Sequence, residues 1–251
     1  MGLRNRRALV TGAAAGLAAG VAAELARDGF AHVAITHRRT SPNATLAAIE
    51  AAGATASAYR IDFRDDAVAV EHELDGAVRR DGPFDTLVHG VGPLVVGRFE
   101  GAGIDDYHEA FDGNVRSAVL AARAVLPAMR AASFGRIVLF AMLGSAQTRP
   151  FRNLSLYAAA KSAVVTFARV LALEEASKNI TVNVVAPGDI REKTISREEA
   201  RRRTASNPRG RPGSYEDVAD AVRFFVAAER DFITGSVLEV TGGLQTAAER
   251  S

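Results

Sequence analysis

The chain has 251 residues, a formal net charge of +2 and no cysteine. Such a length can bury about three quarters of its unfolded surface, which allows one domain with a full core. The small net charge argues against a nucleic-acid partner, and the missing cysteines exclude disulfides and thiolate metal sites. Because neither a signal-peptide core nor an uninterrupted apolar run of roughly 18 residues is evident, we expect a soluble, cytoplasmic protein with no membrane partner.

Apolar, β-rich segments alternate with longer helical patterns along the chain. The strand candidates are residues 7–11, 31–36, 54–61, 85–90, 136–141, 180–186 and 236–241. The helical patterns between them include residues 16–28, 43–52, 104–131 and 157–177. Strands of this kind, separated by helices, indicate a parallel sheet covered on both faces. We therefore predict an α/β fold, a single doubly wound domain over residues 1–251, with ligands beyond the carboxyl ends of the strands.

The first strand runs into a glycine-containing turn, "VTGAAAGLA", that precedes a helix. Gly12 and Gly16 would let the backbone approach a diphosphate, and the following helix would offer its free N–H groups. Ala18 stands where a third glycine is often found, so the packing of helix on strand must tolerate a methyl group. The turn predicts a dinucleotide site, although glycine turns also occur for chain geometry alone.

The second strand ends in "THRRT", which is basic where an NAD site would carry an acidic residue. Arg38, Arg39 and Thr40 follow His37 at this position. Guanidinium groups suit a 2′-phosphate because they stay charged and donate several hydrogen bonds. We therefore predict NADP(H) as the cofactor, against the alternative of a basic surface turn.

A second basic stretch covers residues 191–211, with eight basic and three acidic side chains. The simpler interpretation of this stretch is a solvated helix and loop, and the more specific one is a binding site for an anionic group of the substrate. The five histidines show no spacing typical of metal ligands, so we predict no metal site.

The segment "LYAAAKSA" places Tyr157 and Lys161 four residues apart in a predicted helix. Residues at this spacing share a helix face, so the ammonium can lie near the phenol. We expect the positive charge to lower the pKa of Tyr157 toward the working pH. The pair then predicts a proton-transfer site that serves a carbonyl group as hydride arrives from a nicotinamide.

With these motifs in order, and with "VNVVAPGDI" after the sixth strand, the chain resembles the classical short-chain dehydrogenase/reductase family. The segments "YAAAKSAVVTFARVLALE" and "ITGSVLEVTGG" are similar to the 3-oxoacyl-ACP-reductase branch. The resemblance covers essentially the whole chain. It implies a Rossmann fold with a seven-stranded parallel sheet, bound NADP(H), a homotetramer or dimer, and a substrate-binding loop at residues 190–213.

The resemblance also implies roles for matched positions. Asn114 would hold a water of the proton relay and complete a catalytic set with Tyr157 and Lys161. Asp62 and Phe63 would lie at the adenine. The cofactor-binding positions that the resemblance implies are Gly12, Gly16, Leu17, Arg38, Arg39, Thr40, Asp62, Phe63, Gly90, Val91, Gly92, Tyr157, Lys161, Pro187, Gly188 and Ile190.

Three positions depart from the pattern of the family. The serine expected after the fifth strand is Met142, and Ser145, three residues further on, is the candidate replacement. The usual "NNAG" is "HGVG", in which we expect His89 to be a structural hydrogen-bonding residue rather than a second acid. The threonine of "PGxxxT" is Glu192, which we expect to turn outward, with Thr194 as the nearest alternative.

The leading hypothesis is an NADPH-dependent carbonyl reductase acting on a ketone, such as a 3-oxoacyl thioester or a polyketide-derived or cyclic ketone. A non-catalytic NADP-binding redox sensor is the alternative from another class. Alcohol dehydrogenation or enoyl reduction on the same fold is a third. The sequence identifies neither the substrate nor the oligomeric state, because substrate recognition lies in loops that no local rule decodes.

Overall fold

A computed structural model describes residues 5–188, 190 and 192–244; Arg191 of the basic stretch lies outside this part of the chain. Its centre is a seven-stranded parallel sheet with the order β3-β2-β1-β4-β5-β6-β7. The strands are β1 (Arg7–Thr11), β2 (His32–His37), β3 (Thr55–Arg60), β4 (Thr86–His89), β5 (Gly135–Phe140), β6 (Ile180–Pro187) and β7 (Val237–Val240). The strand order reverses between β1 and β4, where ligands of such sheets bind. The structure confirms the predicted α/β, doubly wound fold.

Helices cover both faces of the sheet. They are α1 (Gly16–Arg27), α2 (Asn43–Ala51), α3 (Ala67–Asp81), α4 (Ile104–Phe111), α5 (Ser117–Ala132), α6 (Ser155–Glu175), α7 (Arg197–Arg201) and α8 (Tyr215–Val226). Buried apolar side chains of α3, α5 and α6 form the core on one face. Those of α1, α2 and α8 form the core on the other face. With both faces covered, the central strands β1, β2, β4, β5 and β6 are buried over nearly their whole length rather than at alternate residues.

The prediction of one continuous helix over residues 104–131 is wrong in one respect. A π-helical turn at Asp112–Arg116 separates α4 from α5. Gly113 lies in this turn, and a β-carbon there would lie 2.4 Å from Cγ of Pro93. Single π turns inside helices are frequent at functional sites, because the extra residue re-aims a side chain. Here the turn contains Asn114.

Helix α6 and the short turn after it form the most apolar helical stretch of the described residues. Ser155–Lys178 has a mean hydropathy of 1.5, which by length and composition alone would suit a membrane span. Because Lys161 and Arg169 lie within this stretch, it is not the uninterrupted apolar run of about 18 residues that we expected to be missing. In the structure, however, α6 packs against the sheet and buries Val164, Val165 and Ala168 in the core. We assign it as a core helix.

Candidate active site

The glycine turn after β1 brings the backbone of β4 close to α1. Gly12 and Gly16 both adopt positive φ, at 67° and 72°. A β-carbon on Gly12 would lie 3.0 Å from Cγ2 of Val91 and 3.1 Å from its amide nitrogen. Ala15 precedes α1 in an extended conformation and makes no side-chain cap. The first N–H groups of α1 therefore have no side-chain cap and are available to a diphosphate.

Ala18, which stands in place of the third glycine, is accommodated by a glycine on the neighbouring strand end. Ala18 is 4% exposed. A β-carbon on Gly90 would lie 2.5 Å from Cβ of Ala18 and 2.7 Å from the carbonyl oxygen of Thr11. The methyl group of Ala18 thus fits because Gly90, which faces it, has no side chain.

A cavity of about 330 Å³ lies at the ends of β2 and β3, next to the glycine turn. The predicted 2′-phosphate residues Arg38, Arg39 and Thr40 line it and are exposed. Asp62 lines it as well, and hydrogen bonds from Arg64 hold the pKa of its carboxyl below the usual value. The remaining predicted adenosine-side residues lining this cavity are Gly12, Phe63, Gly90, Val91 and Gly92.

Phe63 lines this cavity, but most of its side chain is buried in the core. The ring is buried, at 3% exposure, and packs edge-on against His89 with 5.8 Å between the ring centroids. His89 in turn bonds to Thr11 through Nδ1 at 2.8 Å and to Ser117 through Nε2 at 3.0 Å. Burial, aided by the charge of Lys161, lowers the pKa of His89 to about 3. His89 is therefore a neutral core residue that ties β1, β4 and α5 together, as we expected.

A second cavity of about 510 Å³ lies at the ends of β5 and β6 and contains the proton-transfer pair. Tyr157 and Lys161 lie one turn apart on α6 and both line it. The Lys161 ammonium lies 5.7 Å from the centroid of the Tyr157 ring. It also donates a 2.8 Å hydrogen bond to the carbonyl oxygen of Phe140, at the end of β5. This bond fixes the buried lysine at the floor of the cavity.

Asn114 is buried beside this cavity but is not one of its lining residues. Its Nδ2 donates to the carbonyl oxygens of Pro93 at 3.1 Å and Ala110 at 2.8 Å. Its Oδ1 is buried and has no hydrogen-bond partner among the described residues. A buried carbonyl oxygen without a donor is costly, so a polar group such as a water molecule fits here. Gly92 lies between this oxygen and Lys161.

Known proteins with this arrangement identify the family. A family model described as Enoyl-(Acyl carrier protein) reductase matches residues 12–245. The 3-oxoacyl-[acyl-carrier-protein] reductase FabG of Escherichia coli K12 is 31% identical over 248 residues, 97% of this chain and 99% of the relative. The chain belongs to the short-chain dehydrogenase/reductase family. It is an NAD(P)-dependent oxidoreductase of that family.

Solved members of the short-chain dehydrogenase/reductase family have the same fold over nearly the whole chain. A mutant of a Serratia marcescens short-chain dehydrogenase/reductase is 29% identical with a TM-score of 0.84, covering 97% of this chain and 99% of that one. A mutant of actinorhodin polyketide ketoreductase, solved with NADPH, is 28% identical with a TM-score of 0.86, covering 98% of this chain and 100% of that one.

This short-chain dehydrogenase/reductase has no hydroxyl where its family carries the serine. Met142 lines the cavity, whereas Ser145 does not. Ser145 is 5% exposed, and its Oγ accepts a 3.3 Å hydrogen bond from the amide of Met142. It therefore stabilises the turn that follows β5. Among the described lining residues, the side chains with polar atoms are Tyr157, Lys161 and Lys193.

Burial, rather than the neighbouring lysine, dominates the ionisation of the pair. It raises the pKa of Tyr157 to about 12. Burial also lowers the pKa of Lys161 to about 7, with a smaller contribution from the charge of Lys193. The expectation that Lys161 brings the tyrosine pKa toward the working pH is therefore wrong for the residues of the protein alone. The phenol is protonated at neutral pH, which is the form that a proton donor needs.

The segment after β6 completes the cavity. Pro187, Gly188 and Ile190 line it, as the family pattern implies. Glu192 points outward and pairs with Arg203, as we expected. Thr194, the alternative to the family threonine, is exposed and does not line the cavity.

Sequence reasoning missed Lys193, which lines the cavity together with Gly16 and Leu17. One signal could have found it, because the chain has only three lysines among its 31 Lys and Arg residues. Two of the three, Lys161 and Lys193, line this one cavity. No group of three or more His, Asp or Glu side chains that could hold a metal ion is present within the described ranges.

Proposed function

We propose that this protein is an NADPH-dependent carbonyl reductase in which Tyr157 donates the proton. The observation that carries the proposal is the protonated, cavity-lining phenol of Tyr157, with Lys161 and Asn114 beside it and the glycine turn adjacent. A dinucleotide site and a proton donor within one continuous cleft suit reduction of a ketone.

The described residues fit a dinucleotide at every part of the cleft. The glycine turn and α1 would hold the diphosphate through backbone N–H groups. Asp62 and the backbone near Phe63 would meet the adenine, and Gly90, Val91 and Gly92 would let the ribose and nicotinamide approach the strand ends. Pro187, Gly188 and Ile190 would cradle the nicotinamide amide.

The nicotinamide supplies the hydride when it is bound, and the residues of the chain handle the proton. The Tyr157 hydroxyl donates its proton to the developing alkoxide oxygen. Lys161, in its ammonium form, would hold the ribose hydroxyls and stabilise the phenolate left behind. Asn114 Oδ1 would accept a hydrogen bond from the water through which the proton is replaced.

Preference for NADPH follows from the charge at the end of β2. Arg38 and Arg39 are exposed at the rim of the adenosine-side cavity, and neither pairs with a carboxylate within the described residues. Two free guanidinium groups favour a 2′-phosphate over a bare hydroxyl. A relative solved with NADPH has the same fold, which supports this assignment.

The apolar side chains that line the cavity of Tyr157 indicate that the substrate is an apolar ketone. They are those of Leu94, Met142, Leu143, Phe151 and Leu154. A 3-oxoacyl thioester or a polyketide-derived or cyclic ketone would place its apolar part here. The FabG and polyketide ketoreductase relatives act on ketones of these classes by their names. NADPH oxidation by the purified protein, measured against a panel of such ketones, tests the proposal.

The basic loop at residues 190–213 is the proposed substrate loop, but most of its described arginines are already paired. Arg197 pairs with Asp217 and Asp220, and Arg211 also pairs with Asp217. Arg202, just after α7, pairs with Glu198. These pairs favour the simpler interpretation, in which the stretch is a solvated helix and loop whose arginines are paired with nearby carboxylates, rather than a dock for an anionic carrier.

We propose a homo-oligomeric, cytoplasmic enzyme, a dimer or a tetramer. Exposed apolar side chains on two separate surfaces support association: Val170 and Leu173 on α6, and Phe224 and Leu238 on α8 and β7. Burial of such side chains against a second copy of the chain would remove apolar surface from water. Light scattering of the purified protein tests the oligomeric state.

One observation favours a non-catalytic NADP-binding sensor as the second candidate. Met142 removes the second hydrogen-bond donor from the carbonyl site. A sensor, however, has no chemical reason to keep Tyr157 and Lys161 on one cavity with Asn114 next to Lys161. Tyr157→Phe distinguishes the two candidates, since a reductase would lose turnover and a sensor would keep its NADP binding unchanged.

A further inference from the structure

Lys193 lies over the amino-terminal end of α1. Its Cβ and Cδ lie 3.5 and 3.6 Å from the position that a β-carbon on Gly16 would occupy. Gly16 is the first residue of α1 and has a φ of 72°. The aliphatic part of Lys193 therefore covers the glycine whose backbone borders the cleft, and both residues line the same cavity.

The glycine turn itself carries no side-chain cation. Residues 12–18 read "GAAAGLA", so the turn offers backbone N–H groups and no charged or hydroxyl side chain. Ala15 also leaves α1 without a side-chain cap. Any full positive charge at this position must therefore come from another part of the chain.

Lys193 is available to supply that charge. No ion pair or hydrogen bond of its ammonium group occurs within the described ranges, whereas its neighbours Arg197 and Arg203 pair with carboxylates. The charge of Lys193 also contributes to the lowered pKa of Lys161, so the two cations act on each other within one cavity. Two unneutralised cations facing one cavity favour an anion between them.

The flanking residues hold Lys193 in place. Ile195 is 5% exposed, and its carbonyl oxygen accepts a 3.4 Å hydrogen bond from the amide of Tyr215. Ser196 caps α7, and Arg197 bridges to α8 through Asp217 and Asp220. The segment is thus tethered to α8, and α8 packs on α1 where Tyr215 meets Gly20.

We propose that Lys193 binds the diphosphate of the dinucleotide cofactor from the solvent side, opposite the backbone N–H groups of α1. The inference rests on the proposed function, since it requires a dinucleotide in this cleft. A diphosphate carries a negative charge on each phosphate, and lysine is a common partner for it as a mobile point charge. The position of the lysine stem on Gly16 favours the diphosphate over a substrate carboxylate, because the substrate wall around Met142 and Phe151 is apolar.

Direct binding of NADPH and NADH tests the proposal without any turnover. The chain has no tryptophan, so the fluorescence of the reduced nicotinamide can be followed with little background. Lys193→Met keeps the aliphatic stem and removes the charge. We expect it to weaken both dinucleotides by about tenfold, because both carry the diphosphate. Lys193→Arg should restore most of the affinity, and Lys193→Glu should weaken binding further.

Lys178→Met is the matched control, because Lys178 is exposed at the end of the turn after α6. It should leave both dissociation constants unchanged. Added salt should weaken binding to the wild type more than to Lys193→Met, since the variant lacks one of the screened charges. Equal thermal midpoints for wild type and variants would show that the fold is intact.

Three results would overturn the proposal. Unchanged affinity of Lys193→Met and Lys193→Glu for both dinucleotides would show that Lys193 does not touch the cofactor. Unchanged dinucleotide affinity with a raised KM for a carboxylate-bearing ketone would assign Lys193 to the substrate instead. A wild type that binds neither dinucleotide would overturn the proposed function together with this inference, and that result differs from the other two.

Discussion

The ammonium of Lys161 and the side-chain oxygen of Asn114 both lie beside the position that a β-carbon on Gly92 would occupy. A β-carbon on Gly92 would lie 2.7 Å from Nζ of Lys161 and 2.9 Å from Oδ1 of Asn114. The π turn that carries Asn114 and the helix that carries Lys161 thus deliver two polar atoms to one small space, and only glycine leaves that space open. Because Oδ1 of Asn114 has no hydrogen-bond partner among the described residues, it can accept a hydrogen bond from a water molecule of the proposed proton relay.

Gly92→Ala should therefore reduce turnover at least about a hundredfold, because the added methyl group would displace Lys161 and Asn114, two residues of the proposed proton relay. Gly97→Ala is the matched control, since a β-carbon there meets nothing within 4 Å. Neither glycine has a positive φ, so backbone strain does not distinguish the two. Steady-state kinetics with thermal midpoints checks the prediction, and equal activity of the two variants would contradict it.

Met142→Ser should raise kcat by about tenfold or more, because it returns a hydroxyl donor to a site in which Tyr157 is the sole hydroxyl among the described lining residues. Met142→Ala, which only removes side-chain volume, should not raise kcat.

Ser145→Ala should leave kcat unchanged and lower the unfolding free energy by about 1 kcal/mol, since its Oγ accepts a hydrogen bond from the amide of Met142 in the turn. A loss of turnover in Ser145→Ala would show that Ser145 serves the carbonyl after all.

His89→Asn should reduce the acid sensitivity of the fold. The pKa of His89 is about 3 in the folded protein against an ordinary value of 6.5, so the unfolded chain takes up the proton first as the pH falls. The free energy of unfolding that depends on neutral His89 is fully present above pH 6.5 and is lost progressively as the pH falls below that value. Between pH 7 and pH 5 the expected loss of unfolding free energy is about 2 kcal/mol. Urea unfolding at both pH values should show a smaller loss in His89→Asn, and parallel losses would contradict the prediction.

Arg38→Ala combined with Arg39→Ala should weaken NADPH binding by about tenfold to a hundredfold and leave NADH binding nearly unchanged. The reason is that these two arginines face the adenosine-side cavity and would contact only the 2′-phosphate. Direct titration with both dinucleotides measures the ratio. An equal loss for NADH would place the arginines at another part of the cofactor.

The fold was predictable from the sequence because its strands are buried on both faces and its helices are long and periodic. The glycine turn and the Tyr157–Lys161 pair were predictable because each depends on local spacing. The break at Asp112–Arg116 was not, since a single inserted residue leaves helical periodicity nearly intact. The ionisation of Tyr157 was not predictable either, because burial depends on side chains distant in sequence.

The position of Lys193 depends on tertiary contacts in the same way. Its orientation follows from the ion pairs of Arg197 with α8 and from the packing of α8 on α1. The match between Ala18 and Gly90 is a further example, as the two residues belong to different elements. Local patterns identified the chemistry of the cleft, and long-range packing decided which side chains reach it.

The most direct test of the account compares Tyr157→Phe with the wild type in two assays, NADPH binding and NADPH-dependent ketone reduction. We expect the wild type to prefer NADPH to NADH and to reduce at least one ketone of a panel of 3-oxoacyl thioesters, cyclic ketones and quinones. Tyr157→Phe should bind NADPH with similar affinity and lose most of that turnover, because the proton donor is gone. Tight NADPH binding with turnover that does not depend on Tyr157 would contradict the account.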